Sequence, residues 1–204
     1  MPDETAEVHP IVNTRNAVFS IVTVLGFVLD QATKYWIVQN IPYRGGEIRV
    51  IDGFLSIVHA QNPGAAFGAL GNWGNRYVIF AVFTVIALYV VFDMFRKLSR
   101  NAWFVSLALG LILSGAAGNA IDRIRQRHVT DFIRVYTEIP SIQAWLEANF
   151  KTNEWPTFNV ADIALVVGVA MIALHWFFVE RHQQAGSAEE SGIDSAEPGA
   201  DPQA

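Results

Sequence analysis

The sequence predicts an α-helical integral membrane protein: four transmembrane helices with a small β-rich surface element between helices 1 and 2. Three observations carry this. Of 204 residues, 52% are hydrophobic and only 16% charged, against roughly 25% charged in a soluble domain. The apolar residues collect into four runs, each long enough to cross a hydrocarbon core of about 30 Å at about 1.5 Å per residue. The polar residues near these runs gather at their ends instead of scattering. Cysteine is absent, which removes disulfides, thiolate metal sites and cysteine nucleophiles together. The net charge of -5 owes much to the chain ends. No stripe of Lys and Arg suggests nucleic acid, and none is expected as a partner.

Taken in order, residues 1–15 are polar and lack the basic start and small-residue cleavage site of a signal peptide. The first span covers about 16–38. It contains Asp30 and Lys34, which at i, i+4 can pair on one face, near the outer end where desolvation costs less. IRVIDGFLSIVHAQN is rich in β-branched residues and alternates around Asp52-Gly53, so 46–62 reads as a hairpin or curved sheet on the membrane surface. NPGAAFG follows, its glycines marking a closely approached backbone, and Trp73 is an interfacial anchor. The second span covers 77–95 and ends in a basic turn with Arg96, Lys97 and Arg100. The third, 102–123, carries GLILSGAAGNA, whose small residues allow close helix packing. Residues 124–158 read as a second long loop. Within it Ile142, Trp145, Leu146 and Phe150 share one face of a short amphipathic helix. The fourth span is 161–180. Residues 1–183 then form one four-span domain, and 184–204, with Glu189, Glu190, Asp194, Glu197 and Asp201 among Ala, Gly, Ser, Pro and Gln, a disordered polar tail.

Four spans put both termini on one side. The basic turn at 96–100 favours the cytoplasm for that side, although Arg44, Arg49, Arg125, Arg127, Arg134 and Lys151 fall in the opposite, longer loops. Under this orientation Asp30, Asn62, Asp122, Asp131 and Asp162 all gather at the outer face.

The richest stretch is GAAGNAIDRIRQRHVTDFI, residues 115–133. Asn119, Asp122 and Arg123 share one helical face with Gly115. Asp131 follows, and Asp162 opens the last span. Two carboxylates close together do not both ionise easily, so one keeps a proton. The ionised one can draw a proton from an attacking water while the other polarises a peptide carbonyl. The competing reading makes each a helix cap, and Asp162 suits the positive end of a helix dipole. Asp122 competes for the catalytic role, but Arg123 or Lys34 could neutralise it, which favours a structural part. Arg123 has donors for substrate carbonyls. Asn62, Asn119 and Asn159 suit an extended peptide, or turns and caps. Ser114 lies deep in span three without GxSxG, His175 sits too far along its helix, and His59 and His128 lack zinc-ligand spacing. A proton-coupled carrier or a catalytically dead scaffold would explain intramembrane carboxylates differently. The carrier would place them at the midplane between half-repeats, and no internal repeat is visible.

DQATK (30–34), NPGAAFG (62–68), GNAIDR (118–123), VTDFI (129–133) and FNVAD (158–162), in this order across roughly 17–180, resemble the motif set of bacterial lipoprotein signal peptidases, the type II signal peptidases. The resemblance implies an aspartyl endopeptidase of the bacterial inner membrane. It would remove the signal peptide from diacylglyceryl-modified prolipoproteins, cutting before the lipid-bearing cysteine, without metal or cofactor. It makes Asp131 and Asp162 the catalytic dyad. It puts Asn62, Gly64, Asn119, Arg123 and Asn159 along the substrate groove, and leaves Asp30, Lys34, Gly115 and Asp122 as structural support. Membrane lipid and the inhibitor globomycin become expected partners, a monomer the expected state, and the periplasmic face the expected side of the site. The segment between the aspartates, 134–157, is longer than this family leads one to expect. We expect it to alter substrate access or the lid, so that deleting 140–155 changes the rate of prolipoprotein processing in a gel-shift assay.

Overall fold

The computed structural model describes residues 13–64, 76–152 and 154–194. The remainder of NPGAAFG, Trp73, the first twelve residues and 195–204 lie outside the described residues. Four helices are long and apolar enough to cross a membrane: α1 (Thr14–Asn40), α2 (Arg76–Lys97), α3 (Trp103–Gln126) and α5 (Val160–Asp194). Between them lie β1 (Glu47–Ile51), β2 (Leu55–Asn62), β3 (Val129–Val135) and a short helix, α4 (Pro140–Phe150).

The bundle is organised around α3, which packs against α1, α5 and α2. Its sequence explains why. Water-fearing residues gain nothing by turning inward in lipid, so close helix contact depends on small side chains and polar links. Ala108, Ser114, Gly115 and Gly118 form the buried stripe of α3. A Cβ at Gly115 would run into the Ala161 carbonyl oxygen and stand 2.8 Å from Leu165 Cγ. A Cβ at Gly118 would meet the Asp30 carboxylate. The apolar bulk points outward instead: Val24, Leu25 and Val28 on α1, Phe83 and Tyr89 on α2 and Val166 on α5 are all exposed. On α1 only Asp30, Lys34 and Ile37 are buried. The helix therefore turns its charged residues, not its valines, into the protein.

The surface element is a three-stranded antiparallel sheet ordered β1-β2-β3. The hairpin turns at 52–54, as the sequence suggests. Its third strand corrects the reading of 124–158 as a loop. VTDFIRV does not alternate in burial, because Val129, Thr130, Asp131 and Phe132 are all buried. Its partner lies far upstream, so neither periodicity nor a local turn announces it. Phe132 packs with Ile37 and Ile41 in a small core beneath the sheet. The backbone of Phe158 then pairs with Ile133 in both directions, at 2.8 and 3.1 Å, which ties the approach to α5 onto β3.

α4 forms where its apolar stripe places it, with Pro140 in its first turn and Lys151 closing it at φ 61°. Together with the hairpin turn and residues 135–139, 152 and 154–156, it lines an open pocket of about 780 Å³. The backbone of α5 continues to Asp194, beyond the boundary at 184 expected for a disordered tail. Ala, Gln and Glu in this stretch favour helix, and no proline intervenes before Pro198.

The tight α3–α5 approach gives a direct expectation. Gly115→Val should cost about 1–3 kcal/mol by forcing the helices apart, read as a lowered unfolding midpoint in detergent.

Candidate active site

The sheet and the outer ends of α1, α3 and α5 meet at one cluster of polar side chains. Three short-range devices deliver them. The register of β2 against β3 sets Asp131 opposite Ala60 and Asn62 opposite Val129. Side chains two apart on a strand share a face, so Asn62 reaches diagonally across and hydrogen-bonds Asp131. The second device is the start of α5. Asn159 Oδ1 accepts from the Asp162 amide at 3.0 Å, and Asp162 Oδ2 accepts from the Asn159 amide at 3.1 Å. This reciprocal pair closes two helix-end donors, so Asp162 is a cap as well as a site residue. The third device is α3, whose helical spacing presents Asn119, Asp122 and Arg123 together.

Asn119 and Asn159 join the two carboxyls. Asn159 Nδ2 donates to Asp131 Oδ1 at 2.6 Å and to Asn119 Oδ1 at 3.2 Å. Asn119 Nδ2 donates to Asp162 Oδ1 at 2.8 Å. Asp131 therefore receives the side-chain amides of Asn62 and Asn159, and Asp162 that of Asn119. Asp131 is enclosed, 2% exposed, whereas Asp162 is half-buried. Burial pushes the Asp131 carboxyl up to about 6, with the nearby Asp162 charge acting in the same direction and the hydrogen bonds from Asn62 and Asn159 opposing it. A carboxyl whose pKa is raised in the fold costs stability when ionised, so folding stability falls as pH rises from 3.8 through about 6.

Behind the pair lies an ion triad. Lys34 Nζ sits 2.9 Å from Asp30 Oδ2, 3.0 Å from Asp122 Oδ2 and 2.9 Å from Asn119 Oδ1. Lys34 is 3% exposed and Asp30 0%. Of the two partners the sequence offers Asp122, the structure gives Lys34. Gln31 Nε2 bridges Asp30 and Asp122 at 3.1 and 3.3 Å. Arg123 instead donates to the Asn119 carbonyl at 3.1 Å, and its guanidinium stacks 4.3 Å from the centre of the Phe80 ring. It remains within electrostatic reach of Asp162 and Asp131. Gly64 stands at φ 99°, where a side chain would strain the backbone and a Cβ would collide with the Phe80 ring.

All eleven sequence-derived positions fall in or beside this cluster, including Gly115 through its contact with Ala161. Gln31, Phe80 and Thr130 belong to it as well, and the sequence reading misses them. Gln31 lies inside DQATK, a signal that could have found it. Phe80 is one aromatic among many in an apolar run, and nothing in its neighbours singles it out. Ser114 turns its hydroxyl to the Leu111 carbonyl within its own helix at 2.8 Å, and His175 packs against Phe104.

Four spans with two linked carboxyls at one end define the class: an integral membrane aspartic peptidase. The signal peptidase (SPase) II family profile matches residues 22–178. The lipoprotein signal peptidase of Geobacter metallireducens is 40% identical over 166 residues, covering 81% of this chain and 94% of that protein. That of Geobacter sulfurreducens is 41% identical, with 81% and 95% covered. A bacterial membrane enzyme solved by the in meso method at 1.9 Å resolution superimposes with a TM-score of 0.64 at 31% identity, over 78% of this chain and 92% of its own. The chain belongs to the lipoprotein signal peptidase family, the multi-pass membrane aspartic peptidases that remove signal peptides from lipoproteins.

The electrostatics of Asp131 can be tested directly. Asn62→Ala removes a hydrogen bond that favours the ionised carboxylate, so the apparent pKa should rise above about 6. The pH limb of kcat/KM assigned to this group should move to higher pH.

Proposed function

We propose that the chain cleaves diacylglyceryl-modified prolipoproteins before the lipid-bearing cysteine, by water attack between Asp131 and Asp162. The observation that supports this best is the linked pair itself: two carboxyls, each held by one amide of a hydrogen-bonded Asn119–Asn159 couple. Asp131, which burial raises to about 6, carries the shared proton. Asp162, the more open of the two, takes a proton from the water. The water oxygen bonds to the scissile carbonyl carbon, and Asp131 gives its proton to the carbonyl oxygen. In the second half Asp162 returns its proton to the amine nitrogen, the C–N bond breaks, and Asp131 recovers a proton from the carboxylic acid product. The pair titrates as a unit throughout.

Asn62 and Arg123, both half-buried, line the approach to a bound peptide, while Asn119 and Asn159 lie beneath the pair with their amides on the carboxyls. The Phe80 ring on α2 holds the Arg123 guanidinium over its face. The absence of a side chain at Gly64 lets the peptide strand and the Phe80 ring lie close. Ile48, Val50, Ile51 and Phe54 are exposed on the hairpin, an apolar surface fit to cradle the acylated end while its chains stay in lipid. We place the termini in the cytoplasm and the dyad at the periplasmic face of the inner membrane, following the basic turn at 96–100. A monomer holds the full set of residues, and globomycin would compete at the dyad.

The deciding experiment is cleavage of a lipid-modified prolipoprotein by purified enzyme in detergent. Asp131→Asn and Asp162→Asn should each fold and lose activity by at least about 10⁴-fold, since both halves of the proton transfer need both groups. Full activity in either variant would remove that residue from the dyad.

A further inference from the structure

The ion triad beneath the dyad does more than neutralise itself. Asp122 Oδ2 accepts from the backbone amide of Thr130 at 3.2 Å. Asp30 Oδ1 accepts from the backbone amide of Ala161 at 3.0 Å. Thr130 immediately precedes Asp131, and Ala161 immediately precedes Asp162. Each buried aspartate thus holds the backbone amide of the residue that precedes one member of the dyad. Lys34 joins the two grips through its ammonium, and directs its third hydrogen to Asn119 Oδ1. An ammonium can only donate. It therefore fixes the Asn119 amide with its oxygen inward and its NH₂ towards Asp162.

From this geometry we infer that Asp30, Lys34 and Asp122 are positioning residues for the reaction: a clamp that sets the separation of the two catalytic carboxyls through the Thr130 and Ala161 amides. The clamp spans four elements. Asp30 comes from α1, Asp122 from α3, and the gripped amides from β3 and α5. The dyad aspartates sit on a strand and a helix, so their spacing depends on cross-links of this kind. An error of about 1 Å in that spacing costs on the order of 100-fold in rate. The inference rests on Asp131 and Asp162 being the dyad.

The test separates charge from geometry. Asp30→Asn and Asp122→Asn lose the charge but keep an oxygen at the same reach, able to accept the Ala161 or Thr130 amide. Asp30→Glu and Asp122→Glu keep the charge and the bond to Lys34, but carry the acceptor oxygen one methylene too far. Full-length variants in detergent are measured for kcat, KM and unfolding midpoint on a lipid-modified prolipoprotein. A clamp predicts that the folded glutamate variants lose kcat by on the order of 100-fold with KM little changed, and that the asparagine variants stay within about tenfold of wild type. If the triad served only stability, the order would reverse: glutamate would hold kcat, and asparagine would lower the unfolding midpoint. That reversal, or wild-type kcat in the glutamate variants, overturns the inference. Where the longer side chain prevents folding, Asp30→Ala and Asp122→Ala are read by the same split; unchanged kcat in the folded alanine variants overturns it equally. Activity persisting in Asp131→Asn would instead remove the dyad reading, a result these series cannot produce.

Discussion

One buried ammonium governs the arrangement of this protein. Lys34 is nearly sealed from solvent, yet all its hydrogens are used, on Asp30, Asp122 and Asn119. In hydrocarbon a lone charge is costly, and a half-satisfied polar network is worse than an apolar one. The surroundings are built to meet that demand. α1 turns its charged face inward, α3 thins to Gly115 and Gly118 so that the helices can approach, and Gln31 bridges the two aspartates. The backbone amides of Thr130 and Ala161 donate to the two aspartates, and these residues directly precede Asp131 and Asp162.

The site is thus layered. The outer layer holds the carboxyl pair: Asp131 enclosed, Asp162 more open, each met by an asparagine amide. The inner layer holds the outer one in place. Asp162 also belongs to the α5 cap through its exchange of hydrogen bonds with Asn159. Cap and site residue, which compete as readings of the sequence, are compatible in one side chain whose two oxygens face different donors.

Most of this is legible in the chain alone, because membrane spans announce themselves by length and polar residues inside them are conspicuous. Asp30 and Lys34 at i, i+4 suggest their own pairing, and the hairpin at 47–62 shows in its β-branched residues and in Asp52-Gly53. β3 is not legible. Its four buried residues in a row suppress alternation, and its partner strand is distant in sequence. Phe80 is hidden for the opposite reason: an aromatic that stacks on Arg123 looks, in the chain, like any other residue facing lipid. The grips on Thr130 and Ala161 leave no trace in the sequence, since a backbone amide carries no letter of its own.

The pairing of Asp30 with Lys34 within a single helix has a consequence for biogenesis. α1 precedes α2, α3 and α5 in the chain, and its two charges can neutralise each other across one turn of the helix itself. The helix can therefore enter the bilayer as a closed dipole and not as a pair of open charges. Asp122 arrives later on α3, beside a cation already in place, and the amide of Ala161 arrives last. Partners for this buried cation thus become available in the order of the chain, Asp30 first and the α3 residues Asn119 and Asp122 after it.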